Sequence, residues 1–456
     1  MRDKGSFRDP SGYVFVEDDK IYRLVNKCYK DNFEKLQDSG LLKDLFQKEL
    51  LVRHEIVKYS KSYDQNQYLV LDVEKIKTIT YAYEWSFSQL KDAALSTLEI
   101  QLISVSKGMT LKDATPFNIQ FKENKPIFID TLSFEEIKDE NYSWKPYKQF
   151  CENFLSPLVL MSYTDPRLNK ILMNDINGIP IDLSLKLIPL IKKFIPSIFI
   201  HFVLPSLFTS KKKSNSDLKS KKISKSQHLS IINQLIDFIS SLKLHDSLSE
   251  WGDYYNETVN EKKDYVINKE KLLKSFTEGM IISTTWDIGS NDGFFSSVIA
   301  NSSNSYVYSL DIDWRSVEYN YLRNKKNKTK NIHPIIFDFS NPTPALGWLN
   351  IERKNLFERL DEPDLIMCLA LMHHVINANI PFDQFINFLK KTNKYVIIEY
   401  IPFNDPKCQE IYKTRKEEII YPTEKEFINL ISESFKVILK GIIEPTERKL
   451  FLIEKK

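Results

Sequence analysis

From about residue 251 to the end of the chain, short apolar runs alternate with segments of helical periodicity. Apolar strands that alternate with helices are typical of a parallel sheet covered on both faces. The last two runs differ, because only the short segment Glu-Pro-Thr-Glu-Arg separates them and a short connection requires antiparallel pairing. The predicted strands are 284–288, 306–311, 332–337, 364–370, 395–400, 435–443 and 449–453, and the predicted helices include 294–300, 316–324 and 382–391.

The preceding 250 or so residues do not show this regular alternation of strands and helices. Strand-like runs at 13–16, 68–71 and 78–85 mix with a helical pattern at 88–105, which predicts an α+β arrangement. Residues 136–250 are mainly helical, with a lysine- and serine-rich break at 211–227 that predicts a solvated loop. We therefore predict three segments: an α+β domain at 1–135, a helical continuation at 136–250, and an α/β domain at 251–456.

Composition indicates a soluble globular protein, with 42% hydrophobic and 27% charged residues. The 64 Lys and Arg against 61 Asp and Glu give no field strong enough to indicate nucleic-acid binding. Four widely separated cysteines indicate neither a disulfide framework nor a zinc site. Since the N-terminus also lacks the apolar core of a signal peptide, we predict a cytoplasmic location.

The most apolar stretch is FIPSIFIHFVLPSLFTS, at 194–210. Prolines interrupt it, and a bilayer span needs about 20 uninterrupted apolar residues. We predict a buried pair of helices with a proline-marked bend. The less favoured alternative is membrane contact through 185–213, where lysines flank the apolar residues.

The stretch WDIGSNDGFF follows the first predicted strand and opens the first predicted helix. Gly289 and Gly293 can bring the backbone against a ligand, and the helix offers free N–H groups to it. A dinucleotide fingerprint would read Gly-x-Gly-x-x-Gly, but here Asn291 replaces the middle glycine and Asp287 ends the strand. An acid at that position favours a cationic ligand head over a pyrophosphate.

Two further acids end the next two predicted strands. Asp311 is placed to accept hydrogen bonds from the two hydroxyls of a ribose. Asp338 is placed to accept from an adenine amino group, with Phe339 as a stacking wall. A single carboxylate at a strand end is usually a turn former or helix cap. Three in register, with glycines in the first turn, favour a nucleoside-containing cofactor.

With these motifs, the last 200 or so residues resemble a class I S-adenosylmethionine-dependent methyltransferase. The resemblance implies a Rossmann-like α/β fold with a seven-stranded sheet ending in an antiparallel hairpin, and S-adenosylmethionine as cofactor. Asn291 departs from the glycine of many members, but asparagine visits the left-handed region more readily than most residues. The implied cofactor-binding residues are Asp287, Gly289, Ser290, Asn291, Gly293, Asp311, Ile312, Asp338 and Phe339.

His373 and His374 follow the fourth predicted strand, where this fold usually faces the methyl group and the acceptor. Either is a candidate general base. The alternative is that one or both only pack against or cap the following helix. Neighbours on a helix point about 100° apart, so we predict no metal site there.

In the front half, LKDATPFNIQF and the later KPIFID resemble the catalytic and metal-binding segment of protein-kinase-like and aminoglycoside-phosphotransferase-like folds. The resemblance implies that Asp113 orients an acceptor hydroxyl while Asn118 and Asp130 hold magnesium. The pattern departs at Thr131, where glycine is expected, and at Arg23, where an ATP-binding lysine would stand.

We therefore predict a methyltransferase that acts on a small-molecule or glycan-type acceptor, with the front region recruiting the acceptor or a partner. Two alternatives stay open. One is a kinase-like phosphotransferase or bifunctional protein that uses Asp113, Asn118 and Asp130. The other is a non-catalytic binding protein.

Overall fold

The computed structural model describes residues 2–59, 65–211, 222–245, 263–413, 415 and 420–456. The chain divides into two compact units. Unit 1 is Met1–Ser247 with Pro344–Arg359, and unit 2 is Leu248–Thr343 with Leu360–Lys456. Most of the predicted solvated loop at 211–227 lies outside the described residues.

Unit 1 combines small antiparallel sheets with helices. Its strands are β1 (Gly12–Glu17), β2 (Lys20–Asn26), β3 (His54–Val57), β4 (Gln67–Val73), β5 (Met109–Leu111), β6 (Ile119–Lys122), β7 (Lys125–Phe128) and β8 (Phe134–Glu136). They form a four-stranded sheet in the order β1-β2-β4-β3 and two two-stranded sheets, β5-β8 and β6-β7. Its helices are α1 (Lys30–Asp38), α2 (Leu41–Gln47), α3 (Phe87–Ser106), α4 (Tyr147–Phe150), α5 (Ser156–Tyr163), α6 (Ile171–Asn174), α7 (Ile181–Leu187), α8 (Pro196–Ile198), α9 (Leu204–Lys211) and α10 (Lys225–Ser241).

The long helix α3 shows how local sequence sets an element boundary. Ser86 accepts a hydrogen bond from the backbone N–H of Gln89, and the Gln89 side chain accepts one from the Ser86 N–H. This reciprocal cap satisfies two N–H groups that the first turn leaves without a helical partner. The sequence prediction of a helix at 88–105 is confirmed, one residue longer at each end.

Unit 2 is a layered α/β structure. Its strands are β9 (Thr284–Ile288), β10 (Tyr306–Asp311), β11 (Ile332–Ile336), β12 (Leu365–Cys368), β13 (Tyr395–Tyr400), β14 (Phe435–Ile442) and β15 (Lys449–Lys455). Its helices are α11 (Lys263–Thr277), α12 (Phe294–Ser303), α13 (Trp314–Asn327), α14 (Met372–Asn377), α15 (Phe382–Leu389), α16 (Pro406–Tyr412) and α17 (Glu424–Ser432).

The strand order in unit 2 is β11-β10-β9-β12-β13-β15-β14. The first five of these strands run parallel, whereas β15 pairs antiparallel with both β13 and β14. Every residue of β9 is buried, as a parallel strand covered on both faces requires. The seven-stranded methyltransferase topology expected from the sequence, including the closing hairpin, is therefore confirmed.

Three expectations need correction. Residues 78–85 form no strand, and Ala82–Glu84 is a short 3₁₀ helix instead. The cause is a side chain, because Gln120 both donates to the Thr80 carbonyl and accepts from the Thr80 N–H, at 3.1 and 2.9 Å. Backbone groups satisfied in this way need no neighbouring strand.

The predicted burial of 194–210 is the second correction. The segment is helical, with a 3₁₀ helix Leu190–Phe194 before α8 and a π-helix Phe199–Val203 after it. Ile198 and Phe202 are buried, but Phe194 is 83% exposed. None of the helices in the described part of the chain is long and apolar enough to cross a membrane.

The third correction concerns the predicted segment 251–456. Pro344–Arg359, which follows β11 in the chain, belongs to unit 1. Arg359 forms an ion pair with Glu84 at 2.5 Å, and Arg8 forms one with Glu352 at 2.7 Å. No local pattern marks these pairs, because their partners are 275 and 344 residues apart.

Candidate functional site

A cavity of ≈ 350 Å³ lies in unit 2, at the edge of the sheet where the parallel strands end. Ligands of open α/β sheets bind at this edge, beyond the carboxyl ends of the strands. The cavity brings together these sequence-predicted residues: Asp287, Gly289, Ser290, Asn291, Asp311, Ile312, Asp338, Phe339, His373 and His374. Gly293 does not line it, and instead caps the N-terminus of α12.

The turn after β9 adopts the left-handed backbone that the sequence analysis required. Gly289, Asn291 and Gly293 have φ of 74, 50 and 74°. The N–H groups of Gly289 and Ser290 both donate to the Leu310 carbonyl, at 2.8 and 3.1 Å. Asn291 therefore replaces the usual glycine without breaking the turn, and its own N–H is free to donate to Asp311 at 2.6 Å.

The two glycines of this turn should respond differently to alanine. A Cβ on Gly293 would lie 2.3 Å from the Asn320 amide nitrogen, whereas the nearest atom to a Cβ on Gly289 is a Leu371 methyl carbon at 3.4 Å. Both substitutions incur the left-handed penalty of roughly 1–2 kcal/mol, but only Gly293→Ala also overpacks, by about 1–3 kcal/mol more. We expect urea unfolding to show Gly293→Ala as clearly the less stable variant. Equal losses would contradict the contact with Asn320.

Asp287 and Asp311 form the acidic floor of the cavity. Burial, with a further contribution from the negative charge of Asp311, raises the pKa of Asp287 to about 7. Burial likewise raises the pKa of Asp311 to about 6. The backbone N–H groups of Asp313 and Asn291 donate to its carboxylate and lower that pKa, but by less than burial raises it. Two carboxyls that titrate near neutrality beside a cavity are a common feature of functional sites.

Three buried polar atoms on the cavity wall have no hydrogen-bond partner within the described ranges. They are Asp287 Oδ1, Ser290 Oγ and His373 Nδ1. The other oxygen of Asp287 accepts from the Ser296 hydroxyl at 2.6 Å. A buried polar atom without a partner costs about 1–3 kcal/mol, so a ligand whose polar groups pair with these three atoms would gain binding energy here.

Asp338 and Phe339 also line the cavity. Asp338 Oδ1 accepts from the N–H groups of Ser340 and Asn341, at 2.9 and 3.2 Å, so that this oxygen is used by the turn itself. The Phe339 ring packs edge-on against Phe388, with centroids 4.9 Å apart. Phe339 is thus held as a fixed wall, and one carboxylate oxygen of Asp338 holds the loop beside it.

His373 and His374 lie in the first turn of α14, with ring centroids 4.2 Å apart. Burial lowers the pKa of His373 to about 3, with a smaller contribution from His374, and burial lowers the pKa of His374 to about 4. Both rings are therefore neutral at physiological pH. A neutral imidazole nitrogen can accept a hydrogen bond, and the buried Nδ1 of the cavity-lining His373 has no partner in the described chain.

Sequence reasoning missed a buried charge cluster on the same wall. Glu399 is fully buried and accepts from Lys269 at 2.5 Å and from the Tyr265 hydroxyl at 2.9 Å. Arg448 lies 3.4 Å from Glu399 and makes two 2.8 Å hydrogen bonds to Asp405. Burial alone would raise the pKa of Glu399, but Lys269 and Arg448 outweigh it and hold that pKa below the usual value.

Glu399 also fixes the turn after β12. It accepts the N–H of Ala370 at 3.0 Å, and Ala370 has a φ of 48°, which is unusual for a residue with a Cβ. The signal that could have found Glu399 is an acid inside the apolar run Tyr395–Tyr400. A buried acid in such a run needs a partner, and the partner was not readable from spacing.

In unit 1, the three kinase-like candidates do lie close together. Asn118 donates to Asp113 at 3.1 Å and to Ser133 at 3.2 Å. Asp130, however, forms an ion pair with Arg23 and accepts from the Ser133 hydroxyl. Among the described residues, no group of three or more His, Cys, Asp or Glu side chains is arranged to hold a metal ion. Asp130 is thus engaged by Arg23 and Ser133.

Comparison with known proteins gives one full-length relative. The nodulation protein NoeA of Rhizobium meliloti (strain 1021) is 30% identical over 468 residues, covering 99% of this chain and 95% of that protein. No family model matches the chain.

Several solved structures align with about half of this chain. Magnesium protoporphyrin IX methyltransferase (ChlM) from Synechocystis PCC 6803 is 13% identical, covers 45% of this chain and 97% of its own, and gives a TM-score of 0.32. A SAM-dependent methyltransferase from Aquifex aeolicus is 16% identical over 46% of this chain and 98% of its own, with a TM-score of 0.32. The bifunctional kinase-methyltransferase WbdD is 15% identical over 48% of this chain and 45% of its own, with a TM-score of 0.28. The strand order of unit 2, rather than these scores, establishes the fold.

Proposed function

The chain belongs to the family of the nodulation protein NoeA, and we propose that it is an S-adenosylmethionine-dependent methyltransferase. The observation that carries the proposal is the set of three buried polar atoms without partners on one cavity wall, at the strand edge of a methyltransferase sheet.

The residues of the cavity fit S-adenosylmethionine in three places. Asp287 Oδ1, buried and without a partner in the described part, would accept from the ammonium group of the methionine moiety. The two oxygens of Asp311 accept the backbone N–H groups of Asn291 and Asp313 at 2.6 and 2.8 Å, and their remaining lone pairs would accept from the ribose hydroxyls. Phe339 and Asp338 line the end at which an adenine would lie. When bound, this cofactor supplies an electrophilic methyl group on a positively charged sulfur.

The chain's own contribution to transfer is alignment and exclusion of water. His373 is buried, and its neutral Nδ1 would accept a hydrogen bond from the acceptor's hydroxyl or amino group, which turns that group's lone pair toward the methyl carbon. A pKa of about 3 makes this histidine a weak base. We therefore assign it orientation of the acceptor.

We propose an acceptor of small-molecule or glycan type. The basic side chains that line the cavity are Lys269, Lys407 and Arg448. Each is already held by an acid: Lys269 by Glu399, Lys407 by Glu410 and Arg448 by Asp405. The lining residues therefore offer the phosphates of a nucleic acid no basic side chain that is not already paired with an acid.

Phosphotransfer is not favoured, because Asp130 is paired with Arg23 rather than open to magnesium. We assign to unit 1 the recruitment of the acceptor or of a partner.

Calorimetric titration with S-adenosylhomocysteine tests the proposal. We expect the titration to give one site per chain. In thermal unfolding, S-adenosylhomocysteine should raise the melting temperature and Mg-ATP should not. The same protein, given methyl-labelled S-adenosylmethionine and fractionated small-molecule extracts, should release S-adenosylhomocysteine with one fraction in excess of the others. Stabilisation by Mg-ATP alone, or by neither ligand, would overturn the assignment.

A further inference from the structure

An exposed apolar surface lies on unit 1, on the segment between α7 and the π-helix that follows α8. Leu190, Ile191 and Phe194 are 76, 77 and 83% exposed. Of the large hydrophobic residues described, only Ile281 and Ile420 are more exposed. Single exposed hydrophobics are ordinary, but a contiguous group marks a surface that contacts something.

The segment is held firmly at both ends, so its exposed side chains are not the result of a missing anchor. Ile188 is buried before it, and Ile198 is buried after it. Between them the Lys192 N–H donates to the Pro189 carbonyl at 2.9 Å, and the Ile195 N–H donates to the Lys192 carbonyl at 3.1 Å. The 3₁₀ turn therefore presents its apolar side chains outward from a fixed backbone.

Every charged residue from 183 to 216 is a lysine. Within the structure, Lys186 is exposed and Lys193 half-buried beside the apolar group, and neither has an ion-pair partner in the ranges described. Lys192 extends over the Tyr163 ring at 5.0 Å. An apolar tip bordered by lysines complements an anionic bilayer surface, where the apolar side chains enter the headgroup region and the ammonium groups meet lipid phosphates.

We propose that the surface formed by Leu190, Ile191 and Phe194 with Lys186 and Lys193 docks unit 1 on anionic lipid bilayers. We place the contact at the bilayer interface, and none of the helices described is both long and apolar enough to cross a membrane. A second copy of the chain is a poorer occupant, because an identical surface would bring lysines against lysines.

Flotation of the purified full-length chain with unilamellar vesicles tests this. We expect binding to phosphatidylcholine vesicles that contain about 30% phosphatidylglycerol, weakened by salt, and at least about tenfold weaker binding to phosphatidylcholine alone. Ile191→Ser/Phe194→Ser should lower partitioning at least about tenfold, and Lys186→Glu/Lys193→Glu should lower it only on the anionic vesicles. Ile281→Ser, which removes an 89% exposed side chain of unit 2, is the matched control and should bind as the wild type does.

None of these positions is buried and none lines the cavity of unit 2, so circular dichroism and S-adenosylhomocysteine binding should be unchanged. Those two measurements separate this proposal from the proposed function. Equal vesicle binding by the wild type and the Ile191→Ser/Phe194→Ser variant would overturn it. So would self-association of the wild type, without vesicle binding, that the same variant abolishes.

Discussion

Replacing Asp311 by asparagine is expected to raise the dissociation constant for S-adenosylhomocysteine about 100-fold. Each of two hydrogen bonds from ribose hydroxyls to a carboxylate contributes roughly 1.5–3 kcal/mol. An asparagine side chain must also turn one NH₂ group toward the backbone N–H of Asn291 or Asp313, so that a bond of the turn is lost as well. Isothermal titration calorimetry measures the effect directly.

The fold should survive this substitution. Burial raises the pKa of Asp311 to about 6, which means that its charge is unfavourable where it stands. Removing the charge relieves that cost and offsets the lost backbone bond, so the melting temperature should change little. Asp338→Asn is the matched control: its Oδ1 is engaged with Ser340 and Asn341, and we expect at most about a tenfold loss of affinity.

The pH dependence of the affinity for S-adenosylhomocysteine is a second measurement on the Asp311→Asn variant. The proposed binding mode needs ionised carboxylates, whereas burial raises the pKa values of Asp287 and Asp311 to about 7 and about 6. Affinity should therefore be constant above both values and fall as the pH drops below them, as up to two protons must leave on binding. In Asp311→Asn only the proton of Asp287 remains, so the slope should be smaller by one. An affinity that is independent of pH between about 5 and 8 would contradict ionisation of these carboxylates on binding.

The parallel sheet could be predicted from the sequence because its signals are local. Each strand is a short apolar run, and acids or glycines mark the ends of the first three at Ile288, Asp311 and Ile336. Parallel strands end at one edge, so residues far apart in sequence were expected, and found, on the same cavity. The cofactor-side candidates needed no knowledge of long-range contacts.

What the sequence did not reveal depends on pairs that form only after folding. Glu399 appears as an acid in a strand, and nothing nearby in sequence points to Lys269 or Arg448 as its partners. The sequence analysis also missed the exposure of Phe194. An apolar run has the same composition whether it packs in a core or lies on the surface, so hydrophobicity alone does not distinguish the two. The membership of Pro344–Arg359 in unit 1 has the same origin, since it depends on side chains that meet partners hundreds of residues away.

Truncation of one such partner should have the largest effect on stability. We expect Arg359→Ala to lower the free energy of unfolding by about 3–5 kcal/mol, the usual result of leaving a buried charge without its partner. The side chains of Arg359 and Glu84 are 3% and 1% exposed, and two hydrogen bonds join them, at 2.5 and 3.0 Å. Arg359 also donates to the Ile79 carbonyl at 2.6 Å and lies over the Tyr81 ring at 4.1 Å.

The contrast with an exposed pair makes the test specific. Arg167 makes a similar two-bond contact with Asp165, but its side chain is 74% exposed, and Arg167→Ala should be close to neutral in urea unfolding. The double variant Glu84→Met/Arg359→Met removes both buried charges and should recover most of the loss, because apolar side chains need no counter-ion. If Arg359→Ala were no worse than Arg167→Ala, or if the double variant were as unstable as Arg359→Ala, then burial of the pair would not be what holds Pro344–Arg359 in unit 1.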